Sequence, residues 1–217
     1  MMTTMNLKKT INPMMDFVSV SEYENFMKSN ISKLSRHQNV LDIGGGRGKN
    51  YKTGESNYYV LDLSSHNDEM TIVGDITSKN LELGKKFDII LTKDTFEHIL
   101  NPWDATDNIL SHLNEDGLFF CSVPFNWRFH PSPYDAYRYT HHGLKYLFER
   151  NGGMEEVYSG YIDYYRQVRG FWGNRFDHWP IGNVHKDCIC SFYIGKRNSS
   201  KQFDISDIDG DFSHDHK

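Results

Sequence analysis

Residues 40–50 read VLDIGGGRGKN, and the order of residue types in this stretch decides the fold. A short apolar run carries Asp42 near its end, and Gly44, Gly46 and Gly48 then follow at alternate positions. Glycines after an apolar strand let the backbone turn sharply and approach a ligand closely. A nicotinamide-dinucleotide fingerprint would need Gly-x-Gly-x-x-Gly. Counted from Gly44 its last position is Lys49, and counted from Gly46 it is Tyr51. That spacing fails, whereas Asp-x-Gly-x-Gly-x-Gly fits throughout. No Lys-Ser or Lys-Thr pair follows, which excludes a P-loop.

Outward from the loop, apolar runs alternate with helical patterns. Runs at 39–43, 58–63, 71–73, 87–91 and 118–123 read as five strands, and 155–158 and 189–194 as two more. Asn101 followed by Pro102 starts a helix whose face is Trp103, Thr106, Ile109, Leu110 and Leu113, before Asp116-Gly117 turns the chain. Thr140 caps another, burying Leu144, Leu147 and Phe148 and stopped by Gly152-Gly153. Ser21 with Glu24 reads as a capping box for an N-terminal helix bearing Tyr23, Phe26, Met27, Ile31 and Leu34. Such alternation predicts an α/β fold: a mostly parallel sheet, helices on both faces, and ligands at the carboxyl ends of the strands.

Composition bounds the rest. The 217 residues carry 24 basic and 29 acidic side chains, a net charge of −5, and 38% hydrophobic residues. This is a globular chain, and one without the positive field that drives nonspecific nucleic-acid binding. It has no apolar run long enough to span a membrane and no secretory signal pattern. Three cysteines (Cys121, Cys188 and Cys190) without a Cys-x-x-Cys pair speak against a disulfide scaffold and for a reducing, cytoplasmic setting. His185 precedes Cys188, but no fourth ligand completes a zinc set. The final residues, 198–217, hold five Asp and read as an acidic tail, with no calcium-loop spacing in it.

Two acids give the glycine loop its meaning. Asp62 in YYVLDLSS falls at the next strand tip, twenty residues after Asp42, where a carboxylate can accept both hydroxyls of a ribose, with Leu63 beside it. Asp75 in VGDI falls at the following tip, suited to an adenine amino group with Ile76 against the ring.

VLDIGGGRG, YYVLDLS, VGDI, FDIILTKDTFEHILNPWDA, LNEDGLFFCSVPF and HPSPYDAYRYTHHGLKYLFERNG together resemble class I S-adenosylmethionine-dependent methyltransferases over residues 36–158. The resemblance is to the small bacterial-type subgroup associated with sugar and cell-surface polysaccharide biosynthesis. It implies a Rossmann-like, seven-stranded sheet with an antiparallel last strand, and S-adenosyl-L-methionine as cofactor. Asp42, Gly44, Gly46 and Gly48 would frame its methionine end, Asp62 and Leu63 the ribose, Asp75 and Ile76 the adenine, and Lys93 and Asp94 the reaction end. The domain organisation expected is a helical cap (1–35), a methyltransferase domain (36–197) with an aromatic-rich insertion (158–180), and the tail. Two departures stand out: Gly45 occupies a position that usually bears a side chain, and the polar stretch after Gly48 is short for a helix.

Methyl transfer from a sulfonium needs alignment and, for a hydroxyl acceptor, a base. His98 is the leading base candidate and His130 the second, because an imidazole titrates near neutrality. The Glu97-His98 pair could instead brace the following helix. Asp94, Glu97 and His98 match only loosely an acid-x-x-Glu-His pattern that binds a divalent metal in some related quinone methyltransferases, and no metal is expected. Arg138, in the loop after the fifth strand, could pair an anionic substrate or a buried carboxylate. Residues 158–179 hold eight aromatics interleaved with Arg166, Arg169 and Arg175. Such a surface suits a sugar ring, and suits a homodimer contact as well. The acceptor expected is a small molecule, a hydroxyl or amine of a sugar or glycan precursor, with a quinone-like or other small metabolite as the alternative. A module that binds the cofactor without turnover would carry the same Asp62 and Asp75.

Overall fold

The computed structural model describes residues 17, 19–34, 38–46, 51–52, 56–66, 70–131, 133–162 and 190–203. Seven strands form one sheet: β1 (Asn39–Ile43), β2 (Asn57–Asp62), β3 (Thr71–Val73), β4 (Phe87–Lys93), β5 (Leu113–Pro124), β6 (Gly153–Ile162) and β7 (Cys190–Asn198). Their order is β3-β2-β1-β4-β5-β7-β6, with β1 to β5 parallel and β7 antiparallel to both of its neighbours. The expected Rossmann-like architecture is therefore present. Alternation along each strand sends side chains to two cores. Leu41, Ile90, Phe119 and Tyr193 pack against α2 (Pro102–His112) and α3 (His141–Glu149), while Val40, Val60, Leu91, Phe120 and Phe192 pack against α1 (Val20–Leu34). Among the described residues, no helix is long and apolar enough to cross a membrane.

Several boundaries differ from the sequence reading, each for a local reason. The Nterminal helix starts two residues earlier than its predicted box: the Ser19 hydroxyl accepts from the Glu22 amide at 3.1 Å, so Ser19-x-x-Glu22 occupies the cap. That frees Glu24 to form an ion pair with Lys93 at the tip of β4. Strand β5 begins at Leu113 rather than after Asp116-Gly117. The pair sits inside it, with Asp116 at φ 63°, where Leu113–Leu118 opposes only Phe87–Ile89 and the extra residues bulge out. Strand β6 runs on to Ile162, which draws Tyr158 and Tyr161 out of the predicted insertion and into the sheet. Residues 163–189, with the remaining aromatics and arginines of that stretch, His185 and Cys188, lie outside the described residues, as does 204–217 of the predicted tail. Among the described residues, no helix separates β1 from β2.

The two internal helices start where predicted. Asn101 accepts from the Asp104 amide with Pro102 in the first turn, and the Thr140 hydroxyl accepts from the Gly143 amide at 3.0 Å. Gly152 and Gly153 follow α3 at φ 70° and 82°, the left-handed region that favours glycine.

Candidate active site

A cavity of about 550 Å³ opens at the carboxyl ends of β1 to β4, a volume in the range of small-molecule sites. Gly44, Asp62, Leu63, Asp75, Ile76, Asp94 and His98 all line it. Four strand tips thus converge because β1, β2, β3 and β4 are sheet neighbours running in one direction. Asp62 holds its carboxylate 3.1 Å from His66 Nε2 and accepts from the Ser64 amide at 3.4 Å. Asp75 uses Oδ1 to accept from both the amide and hydroxyl of Thr77, at 2.8 and 2.7 Å, which fixes the turn after β3. Leu63 is 65% exposed and Ile76 only 7%, so the cavity has one open and one packed apolar wall.

Asp42, Gly46 and Lys93 lie beside this cavity but do not line it; Gly48 is outside the described residues. Asp42 points to the α1 side of the sheet, opposite in parity to Ile43, and is 4% exposed. There it accepts from the Tyr58 hydroxyl at 2.6 Å. Burial pushes its carboxyl up to about 7, against the lowering effect of the Tyr58 bond, and the nearby Asp62 adds to the rise. The same carboxylate explains Gly45: a Cβ there would sit 2.4 Å from Asp42 Oδ2. Asp42 therefore props the glycine loop from beneath. Gly44 and Gly46 have φ of 73° and 56°, which only glycine adopts readily.

Beside the cavity sits a polar cluster, of which Asp94 and His98 line the cavity while Glu97, His130, Asp135 and Arg138 do not. A short 3-10 helix (Phe96–His98) follows β4, and the loop after β5 folds back over it. The Ala136 and Tyr137 amides donate to the Glu97 carbonyl at 2.8 and 3.2 Å. This brings His130 against His98, with ring centroids 5.1 Å apart at 77°. Glu97 is fully buried between them, Oε1 lying 3.5 Å from Nε2 of each histidine, and neither carboxylate oxygen has a hydrogen-bond partner. Burial raises the Glu97 carboxyl, while His98 and His130 pull it down. Asp94, at φ 50° on the cavity wall, is likewise raised by burial and lowered by Lys93. Arg138 makes a bidentate pair with Asp135, holding that carboxyl far below its ordinary value. Its partner is thus a carboxylate of the same loop.

Sequence reasoning did not find Tyr58 as the partner of Asp42, Glu24 as that of Lys93, or Tyr134 and Asn101 on the cavity wall. Each depends on strand or loop adjacency, which leaves no spacing signal in the chain.

The family model for a methyltransferase domain matches residues 20–194. No curated protein matches the chain by sequence. Among solved structures, an S-adenosylmethionine-dependent methyltransferase of Clostridium acetobutylicum aligns with TM-score 0.52 at 14% identity, over 88% of this chain and 95% of that one. The Nmethyltransferase NodS of Bradyrhizobium japonicum gives 0.56 at 12%, over 82% and 95%. A chain of the Haloferax volcanii complex between the Trm112 methyltransferase activator and a methyltransferase gives 0.56 at 15%, over 81% and 88%. At such identities the likeness is one of fold.

Proposed function

This chain belongs to the class I S-adenosylmethionine-dependent methyltransferase family, and from that premise we propose that it moves the sulfonium methyl to a hydroxyl or amine of a sugar or glycan precursor. The observation that carries this reading is that Asp62, Asp75, Asp94 and His98 line one cavity together. Asp62 accepts the ribose hydroxyls, and the adenine lies between Leu63 and Ile76 near Asp75. The propped glycine loop frames the methionine end, with Lys93 and Asp94 beyond it. His98, or failing that His130, assists loss of the acceptor's proton while the substrate is held in line with the sulfonium. Trp127, Phe129 and Tyr134, 44%, 74% and 53% exposed on the loop that carries His130, offer aromatic faces to a sugar ring.

Asp62→Ala tests the cofactor half. It should weaken S-adenosylhomocysteine by about ten- to a hundredfold in calorimetry, the range for losing charge-assisted hydrogen bonds. Unchanged affinity would remove Asp62 from the site. His98→Ala should abolish turnover of a sugar acceptor with cofactor affinity kept, and full activity would clear that residue.

A further inference from the structure

We propose that Glu97, His98 and His130 form a binding site for a divalent transition-metal cation of the zinc or cobalt kind. The hydrogen bonds fix the tautomers. His98 Nδ1 faces the Tyr134 carbonyl, and His130 Nδ1 faces the Arg128 carbonyl at 2.9 Å with Asp135 Oδ2 at 3.4 Å. These oxygens can only accept, so each Nδ1 carries a proton, and in the neutral imidazole each Nε2 keeps a lone pair. Both Nε2 atoms lie 3.5 Å from Glu97 Oε1. With both imidazoles neutral and Glu97 ionised, two lone pairs meet a buried carboxylate whose oxygens have no hydrogen-bond partner, an arrangement that a cation relieves.

The spacing is that of ligands rather than of hydrogen-bonded partners. A distance of 3.5 Å is too long for a good hydrogen bond, but close to the separation of about 3.3 Å between tetrahedral ligands placed about 2.0–2.1 Å from zinc. One ligand atom from each residue lies within 4.8 Å of the others. Nδ1–H groups bonded to carbonyls and a carboxylate are the outer partners that orient metal-binding imidazoles. Two nitrogens and one oxygen favour a borderline ion over magnesium or calcium. Asp94 lies outside this set, and His130 comes from a different element, so the ligands are gathered by the fold and not by one motif.

The inference deepens the reading above and rests on it, since His98 lines the cavity proposed for methyl transfer. Three protein ligands leave an open position for the acceptor. There a hydroxyl coordinates through oxygen, its O–H bond breaks with the proton leaving to solvent, and the oxygen's electron pair forms the new bond to the methyl carbon. The C–S bond breaks as that bond forms, and its electron pair returns to sulfur as a neutral thioether.

The test uses the untagged full chain, stripped with chelator and dialysed against Zn²⁺ or Co²⁺. About one ion per chain should be retained, and His98→Ala and His130→Ala should each lower its affinity at least tenfold, whereas Cys190→Ser should not. Cobalt bands in the visible without the strong near-ultraviolet absorption of a thiolate ligand would support the set in the unmutated protein. Absence of a bound ion overturns the proposal, as does an ion that persists in both histidine variants. S-adenosylhomocysteine calorimetry on the same samples separates the two readings. Cofactor bound with no ion removes the cation alone, and no cofactor bound removes the proposed function as well as the inference built on it.

Discussion

Asp42 carries two duties through one carboxyl: it holds the Tyr58 hydroxyl and fills the space that a side chain at position 45 would need. Its protonation also sets a pH dependence. The buried group binds its proton more tightly than the unfolded chain does, with a value near 7 against 3.8. Its contribution to stability is therefore complete below about 4 and is lost as pH rises through 7, with a slope of at most about 1.4 kcal/mol per pH unit. Asp42→Asn mimics the protonated form and can still accept from Tyr58. The stability gap between variant and wild type in urea titrations should then shift in favour of Asn as pH rises from 4 to 7. A gap that stays constant over this window would place the titration elsewhere. Gly45→Ala should cost about 1–3 kcal/mol, the range for overpacking, and weaken cofactor binding with it.

At the scale of elements, the site depends on how segments end. The Glu24–Lys93 pair ties α1 to the tip of β4, next to Asp94. Helix α3 begins where the loop bearing His130 and Arg138 ends, and its cap is the Thr140 hydroxyl on the Gly143 amide. Thr140→Ala should cost about 1 kcal/mol, within the usual cost of a lost cap, and lower the melting temperature by about 2–4 °C for a chain of this size. Calorimetry showing no change would mean that the loop, not the cap, fixes the start of α3. The bulge in β5 works the same way. Asp116 in the left-handed region lets the strand rejoin β4 in register, so that Cys121 and Ser122 pair with Thr92 and Lys93 at the carboxyl end of β4.

For the whole molecule, the consequence of the nucleoside site proposed across four strand tips is linkage. S-adenosylhomocysteine at a hundredfold its dissociation constant should stabilise the fold by about 2.7 kcal/mol, or about 5–10 °C in a melting experiment. Nicotinamide dinucleotides should leave the melting temperature where it is, since the glycine loop lacks their spacing. A larger shift with the nicotinamide cofactors would reverse the reading of the loop.

The chain by itself determined the alternation of strands and helices, the caps at Asn101 and Thr140, and the glycine loop with its downstream acids. All of these are local, set by periodicity and by the few residue types that satisfy a helix end or a tight turn. Strand extents were less legible, because bulges such as that at Asp116 look like turns until a neighbouring strand is there to pair with. Only the tertiary structure decided that Asp42 lies beneath the glycine loop while Asp62 and Asp75 line a cavity. Only it placed Glu97 between His98 and His130. The physical reason is common to both: a side chain's partners across the sheet, or across a returning loop, are chosen by strand order and packing. Residues 16 or more apart in sequence meet there with no spacing rule to announce them.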